Sequence, residues 1–168
     1  GSGLFRNGND SGQFFKNQII LGYNASSNFS HVIKTRHSLT NAEGNAIDFF
    51  TFNQGVDANA TIGTKHLMSL LGNGRVGIGS TNPAAKLHVQ SETVATQTIN
   101  ADVEILRLSR PINPSTKFDN IAKFDIGCYE VLGPSAETRL DLSLDDGANT
   151  IPLHVMTWQG NGRVGIGT

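Results

Sequence analysis

Charge is scarce in this chain of 168 residues, and it nearly cancels: 13 Lys and Arg stand against 14 Asp and Glu. A net charge of −1 offers no basic footprint for a phosphate backbone, so no nucleic-acid partner is expected. There is a single cysteine, Cys128, which excludes a disulfide within the chain. Phe124, Ile126 and Val131 lie around it, so the expected role is a small buried apolar group. No apolar run reaches the length of a membrane span, and no membrane insertion is expected. No secretion leader is visible. Gly1-Ser2-Gly3 resembles the scar of an expression tag, which makes an excised internal fragment the expectation. Catalytic motifs are missing too: there is no serine elbow, no H-E-x-x-H and no Cys-His pair. Asp141 with Asp145 and Asp146 is the nearest approach to a carboxylate pair, and it reads as solvated strand and turn acids. No catalytic residue is assigned and no enzyme is expected.

What the chain does have is 19 glycines and an abundance of Asn, Ser and Thr, the composition of turns between short strands. The fold class this predicts is all-β. One stretch organises the rest. Gly72-Asn73-Gly74-Arg75-Val76-Gly77-Ile78-Gly79 returns letter for letter 88 residues later as Gly160-Asn161-Gly162-Arg163-Val164-Gly165-Ile166-Gly167. It satisfies the dinucleotide fingerprint G-x-G-x-x-G, but that fingerprint needs a helix N-terminus to meet the pyrophosphate. Here Ser80-Thr81-Asn82-Pro83, turn chemistry, follows the first copy. The better reading is a tight turn at Asn73-Gly74 and then a thin strand. Val76 and Ile78 fall on one face of it, Gly77 and Gly79 on the other. Such a strand gains little alone and much in a symmetric oligomer, where Val and Ile form a layer and glycine lets backbones approach. Val76, Gly77, Ile78, Val164, Gly165 and Ile166 are therefore expected to pack at an oligomer axis.

Alternation predicts strands at 14–23, 29–37, 47–52, 66–71, 87–89, 103–108, 122–131, 138–144 and 153–159, with one helical turn at 83–86. The repeat extends beyond the glycines: His66-Leu67-Met68-Ser69 stands 88 residues before His154-Val155-Met156-Thr157. Ile47-Asp48-Phe49 resembles Leu140-Asp141-Leu142, and Ile19-Ile20-Leu21-Gly22 resembles Phe124-Asp125-Ile126-Gly127. The division expected is a first β unit at 1–79, a turn and strand linker at 80–100, and a second β unit at 101–168. Units this small need a device other than their own cores, and oligomerisation is the one remaining without disulfides.

The string Gly77-Ile78-Gly79-Ser80-Thr81-Asn82-Pro83-Ala84-Ala85-Lys86-Leu87-His88-Val89 resembles the "VGIGTTNPxxKLHV" linker of phage tail-fibre proteins and related bacterial adhesins. Ser30 to His37 and Gly44 to Phe49 are similar to an "HxIKTRH…GNAIDF" domain beside that linker. Leu106-Arg107-Leu108-Ser109-Arg110-Pro111 with Phe124-Asp125-Ile126-Gly127 resembles its sister domain. The resemblance implies two β-rich units in series in an elongated, intertwined homotrimeric fibre. It places the chain in a fibre at a cell surface, including those of predatory bacteria, or on a phage particle. It also implies contact with cell-surface glycans, by a structural and adhesive segment. The alternatives are a carbohydrate-degrading tailspike domain and a shaft spacer with no ligand. Candidate glycan-binding residues, polar groups near the loops, are Arg36, His37 and Asn45 in the first unit and Arg110, Asn113, Lys117 and Asn120 in the second. Trp158 aligns with Leu70, and burial is expected of it rather than sugar stacking. His31 and His37 share a strand face, and on a threefold axis one histidine becomes a ring of three. Their spacing favours hydrogen-bonded structural histidines, so no metal and no cofactor are assigned.

Overall fold

The structure, a computed structural model, describes residues 16–22, 29–38, 44–58, 62–92, 102–110, 120–130, 137–145 and 152–167. It is all-β, with no α-helix among the described residues. Two compact units divide the chain, Gly1–Gln90 and Ser91–Thr168. The first half of the expected linker at 80–100 thus belongs to the first unit. The expected helical turn at 83–86 is a run of bends. Its Asn82-Pro83 start favours extended backbone before the proline, and the two alanines that follow are too few to nucleate a turn.

The first unit is one six-stranded sheet: β1 (Lys16–Leu21), β2 (His31–Arg36), β3 (Ala46–Thr51), β4 (Lys65–Leu71), β5 (Val76–Ile78) and β6 (Leu87–Val89), in that spatial order. All neighbours are antiparallel except β5 and β6, which run parallel. The second unit is a five-stranded meander of β7 (Val103–Arg110), β8 (Asn120–Glu130), β9 (Glu137–Asp145), β10 (Leu153–Gln159) and β11 (Val164–Ile166). By register β7 to β11 repeat β1 to β5, and β6 has no counterpart among the described strands. The sequence likeness of residues 19–22 to 124–127 therefore misplaces the repeat: β8 stands where β2 does, beside the strand that carries the aspartate.

The shared motif folds alike in both units. Leu71 N–H donates to the Arg75 carbonyl and Gly74 N–H to the Leu71 carbonyl, both at 2.9 Å. Gln159 with Arg163 and Gly162 with Gln159 repeat these bonds at 2.9 Å. Gly74 and Gly162 take φ of 76° and 86°, the left-handed position that ends a three-residue hairpin loop. Asn73 supports the loop through its side chain instead, its Oδ1 accepting from Arg75 N–H at 3.1 Å.

Alternation and register sort each sheet into two unlike faces. On one face of the first unit, Ile19, Ile33, Phe49, Met68, Ile78 and Val89 form a row across all six strands. Thr35, Ile47, Leu70, Val76 and Leu87 form the next row. The second unit has three such rows: Val103, Ile126, Leu140, Trp158 and Val164; Leu106, Phe124, Leu142, Met156 and Ile166; Leu108, Ala122, Leu144 and Leu153. No layer of the same unit covers these rows among the described residues. Ile78 is 45% exposed and Ile166 70%. The buried apolar side chains Val32, Ala46, Phe50 and Leu71 all belong to the other face of the first unit. Cys128, expected to be buried, is half-buried near the end of β8, where no second layer of described residues closes over the sheet.

Candidate functional site

The face opposite the apolar rows carries a polar cluster, and it occurs in both units. A β-bulge creates it. In β4 the pairing to β3 skips a residue between Met68 and His66, and in β10 the pairing to β9 skips one between Met156 and His154. A bulge re-aims the side chain beside it. His66 and Ser69, three apart, therefore share a face, as do His154 and Thr157. The motif's last glycine ties the bulge down: Gly79 N–H donates to the Leu67 carbonyl at 2.8 Å, and Gly167 N–H to the Val155 carbonyl at 3.0 Å.

In the first unit the centre is Asp48, fully buried on β3. Its carboxylate accepts from Arg36 Nε at 2.8 Å, from Arg36 Nη2 at 3.1 Å and from the Ser69 hydroxyl at 2.5 Å. His66 Nε2 lies 2.8 Å from Ser69 Oγ. A hydroxyl has one proton, and here it goes to the carboxylate, so Nε2 carries the hydrogen and donates to Oγ. Burial holds the His66 pKa below its ordinary 6.5, with the Asp48 charge opposing and Arg36 assisting. The ring meets Phe50 edge-on, centroids 5.2 Å apart. Lys34 Nζ stands 4.3 Å from the Phe50 centroid, and burial lowers its pKa while Asp48 raises it. Asp, Ser and His together suggest hydrolytic chemistry, but the geometry is wrong for it. The serine stands between the carboxylate and the imidazole, where a nucleophilic triad puts the histidine between. Ser69 is also fully buried. The cluster binds strands together; it does not present a nucleophile.

In the second unit Asp141 takes the place of Asp48. It accepts from Thr157 Oγ1 at 2.5 Å and pairs with Arg139 Nε at 2.7 Å. His154 Nε2 lies 2.9 Å from Thr157 Oγ1 and 3.3 Å from Asp141 Oδ1. The arginine has changed strands. Arg36 on β2 is paired with Ala46 on β3, whereas Gly127 on β8 is paired with Arg139 on β9. Each unit supplies one guanidinium to the buried carboxylate from neighbouring positions. Arg139 also pairs with Asp102. Burial and then the Glu104, Asp102 and Asp141 carboxylates push the Asp125 pKa up from 3.8.

The two clusters differ in cover. In the first unit the segment 80–86 crosses the polar face. Arg36 Nη2 donates to the Thr81 carbonyl and Arg75 Nη1 to the Pro83 carbonyl, both at 3.1 Å. Pro83 is fully buried. Gly77 lies beneath this segment, where a Cβ would overlap the Ser80 carbonyl oxygen. The close backbone approach expected of Gly77 thus exists, but it is to the chain's own loop, on the face opposite Val76 and Ile78. In the second unit the equivalent region is an open groove of about 660 Å³. Asp102, Asp125, Arg139, Asp141, His154 and Thr157 line it, with Arg163 and Gly165 at its β11 side.

The expected glycan residues fall in two places. Arg36 is 7% exposed and engaged within the cluster. Asn45 uses its amide on Ser38, accepting from N–H at 2.9 Å and donating to the carbonyl at 3.0 Å. His37 is exposed at the end of β2. Arg110 and Asn120 stand opposite each other where β7 meets β8, and both are exposed. Asn113 and Lys117 lie outside the described residues. Trp158 is half-buried in an apolar row, opposite Val164 as Leu70 is opposite Val76. Asp48 and Asp141 were legible as a repeated position, and Ser69 with His66 as a repeated string. Their meeting was not, because it depends on the bulge. Among the described residues no three His, Cys, Asp or Glu side chains are grouped to hold a metal ion. Neither a family model nor a curated protein matches the chain.

Proposed function

We propose that the chain is a structural and adhesive segment of a homotrimeric, tail-fibre-like protein, displayed outside the cell or on a phage particle and used in recognition of cell-surface glycans. The observation that supports this reading is the uncovered apolar face of each sheet. A sheet that is apolar on one face needs another layer against it, and three copies round an axis supply one. Val76 and Ile78, with Val164 and Ile166, lie on that face and take the axis-facing role. The repeat of one motif at the end of both units fits serial stacking along a fibre. For the glycan contact, the exposed pair Arg110 and Asn120, with His37, are the residues to test.

Mass in solution is the test. Three chains of 18.0 kDa are expected by light scattering. Ile78→Asp, and separately Ile166→Asp, place like carboxylates together in an apolar layer and should abolish the trimer at neutral pH, with partial recovery in acid. A monomer, or an Ile78→Asp protein that stays trimeric with unchanged melting, removes the reading. A glycan array on the trimer tests recognition. The internal engagement of Arg36 and Asn45 favours a second reading, a shaft spacer without a ligand, and a blank array would support it. New reducing ends on incubation with bacterial polysaccharides would point to a tailspike enzyme instead.

A further inference from the structure

The two units carry the same cluster, the same bulge and the same glycine motif, yet among the described residues only one polar face is covered. The cover in the first unit has a definite chemistry. After Gly79 the segment crosses above Gly77, gives two backbone carbonyls to arginines, and joins the sheet as β6, parallel to β5. Val76 N–H donates to the Lys86 carbonyl at 2.8 Å and Gln90 N–H to the Ile78 carbonyl at 2.9 Å. The features of β5 that receive it recur in the second unit, while the Arg36 position is taken by Gly127 and the guanidinium stands across from it at Arg139. Val164 and Ile166 repeat Val76 and Ile78 on β11, the strand at the edge of its sheet. Gly165 repeats Gly77 and lines the groove, and Arg163 repeats Arg75 and is exposed there. Charge fits as well. The groove holds three carboxylates, Asp102, Asp125 and Asp141, against two arginines. The segment 80–90 carries Lys86 and His88 and no acid.

We propose that the groove of the second unit is a docking site for one extended polypeptide segment of the 80–90 type, joined in cis to Gly167. It crosses above Gly165, lays a backbone carbonyl on Arg163 and adds a parallel strand to the edge of β11. An edge strand is a template for such addition, and backbone hydrogen bonds supply affinity while the groove supplies selection. The proposal does not depend on the oligomeric state.

Thr168 stands where Ser80 does, so the test extends the 168-residue protein after Thr168 with a second copy of its own residues 81–90 and reads amide exchange residue by residue. The Val164 amide should slow by at least about tenfold, as a bonded strand amide does. Arg163→Ala should weaken that protection. Gly165→Ala should abolish it in the extended protein, where a Cβ would meet the crossing loop, and leave the unextended protein's melting and exchange unchanged. An extension that exchanges freely, with Val164 unaltered, overturns the proposal. So does protection that survives Gly165→Ala, because the segment would then not cross the groove. Shifts at Arg163 and Gly165 on adding an oligosaccharide, with none on adding the extension, would assign the groove to a different occupant and also overturn it.

Discussion

The polar faces of the two units are the same device under two conditions. Asp48 lies fully buried beneath a strap of its own chain, whereas Asp141 keeps 6% exposure on the wall of an open groove. The hydrogen bonds to the carboxylates are nearly equal in length, so the difference is one of surroundings. A charge pair sealed from water is costly to break, because the surviving charge has no solvent to turn to. A pair beside a groove has water within reach. The lesson is that equal contacts need not carry equal energy.

The sharpest way to separate the units is to remove the carboxylate charge in each. Asp48→Asn leaves Arg36 buried with a neutral partner and should destabilise the first unit by about 3–5 kcal/mol. Asp141→Asn should cost clearly less, since the Arg139 guanidinium keeps Asp102. Chemical denaturation followed unit by unit through amide resonances reads both. Equal losses would show that cover by the strap is irrelevant.

A smaller effect is expected at the glycines. Gly77→Ala forces the strap away from β5 and should cost about 1–3 kcal/mol, with the Gln90 amide, bonded to the Ile78 carbonyl, losing protection first. Gly165→Ala in the unextended protein should be silent in the same exchange measurement.

Acid should move the contributions of two groups, one in each unit, in opposite directions. The His66 pKa is depressed from 6.5, so the unfolded chain binds more protons than the folded one below that pH. Stability of the first unit therefore falls as pH drops through and below 6.5. The Asp125 pKa is raised from 3.8, so the folded second unit binds the extra proton, and this group's contribution improves as pH falls toward 3.8. Unit-resolved melting from neutral pH down to about pH 4, with Asp125→Asn beside the parent protein, checks the signs. The acid loss in the first unit should shrink in His66→Gln.

The least effect is expected from the exposed pair of Glu104 and Arg107, three residues apart on β7, with Nε to Oε1 at 2.6 Å. Solvent screens such pairs, and Arg107→Ala should leave the melting of the second unit within measurement error.

Much of this fold could be read before it was seen. Alternation and short apolar runs located the described strands, because strands with one apolar face announce themselves at period two. The glycine motif announced its hairpin through Asn-Gly. Two matters could not be read. Leu67 and Val155 look like ordinary alternating residues, yet they are where the pairing slips, and only the slip brings His66 to Ser69 and His154 to Thr157. The register of the repeat was also misleading, since apolar residues before a glycine, as at 19–22 and 124–127, recur on any buried strand. Of the expected glycan residues, Arg36 turns inward to Asp48, twelve residues on and across the polar loop between β2 and β3, a pairing that depends on the strand register.

The relocated arginine constrains how either unit can change its sequence. One unit has Arg at the β2 position and Ala across from it; the other has Gly and Arg. Moving between these arrangements takes two substitutions, and one must come first. If the guanidinium at position 36 is lost first, the buried Asp48 carboxyl loses its bidentate partner, a destabilised intermediate. If a second arginine arrives first at position 46, it must enter a site where Ala46 is 8% exposed, and the mirror change at Gly127 would run into the Asp102 carboxylate. Either order passes through a strained chain, so the two arrangements are held apart.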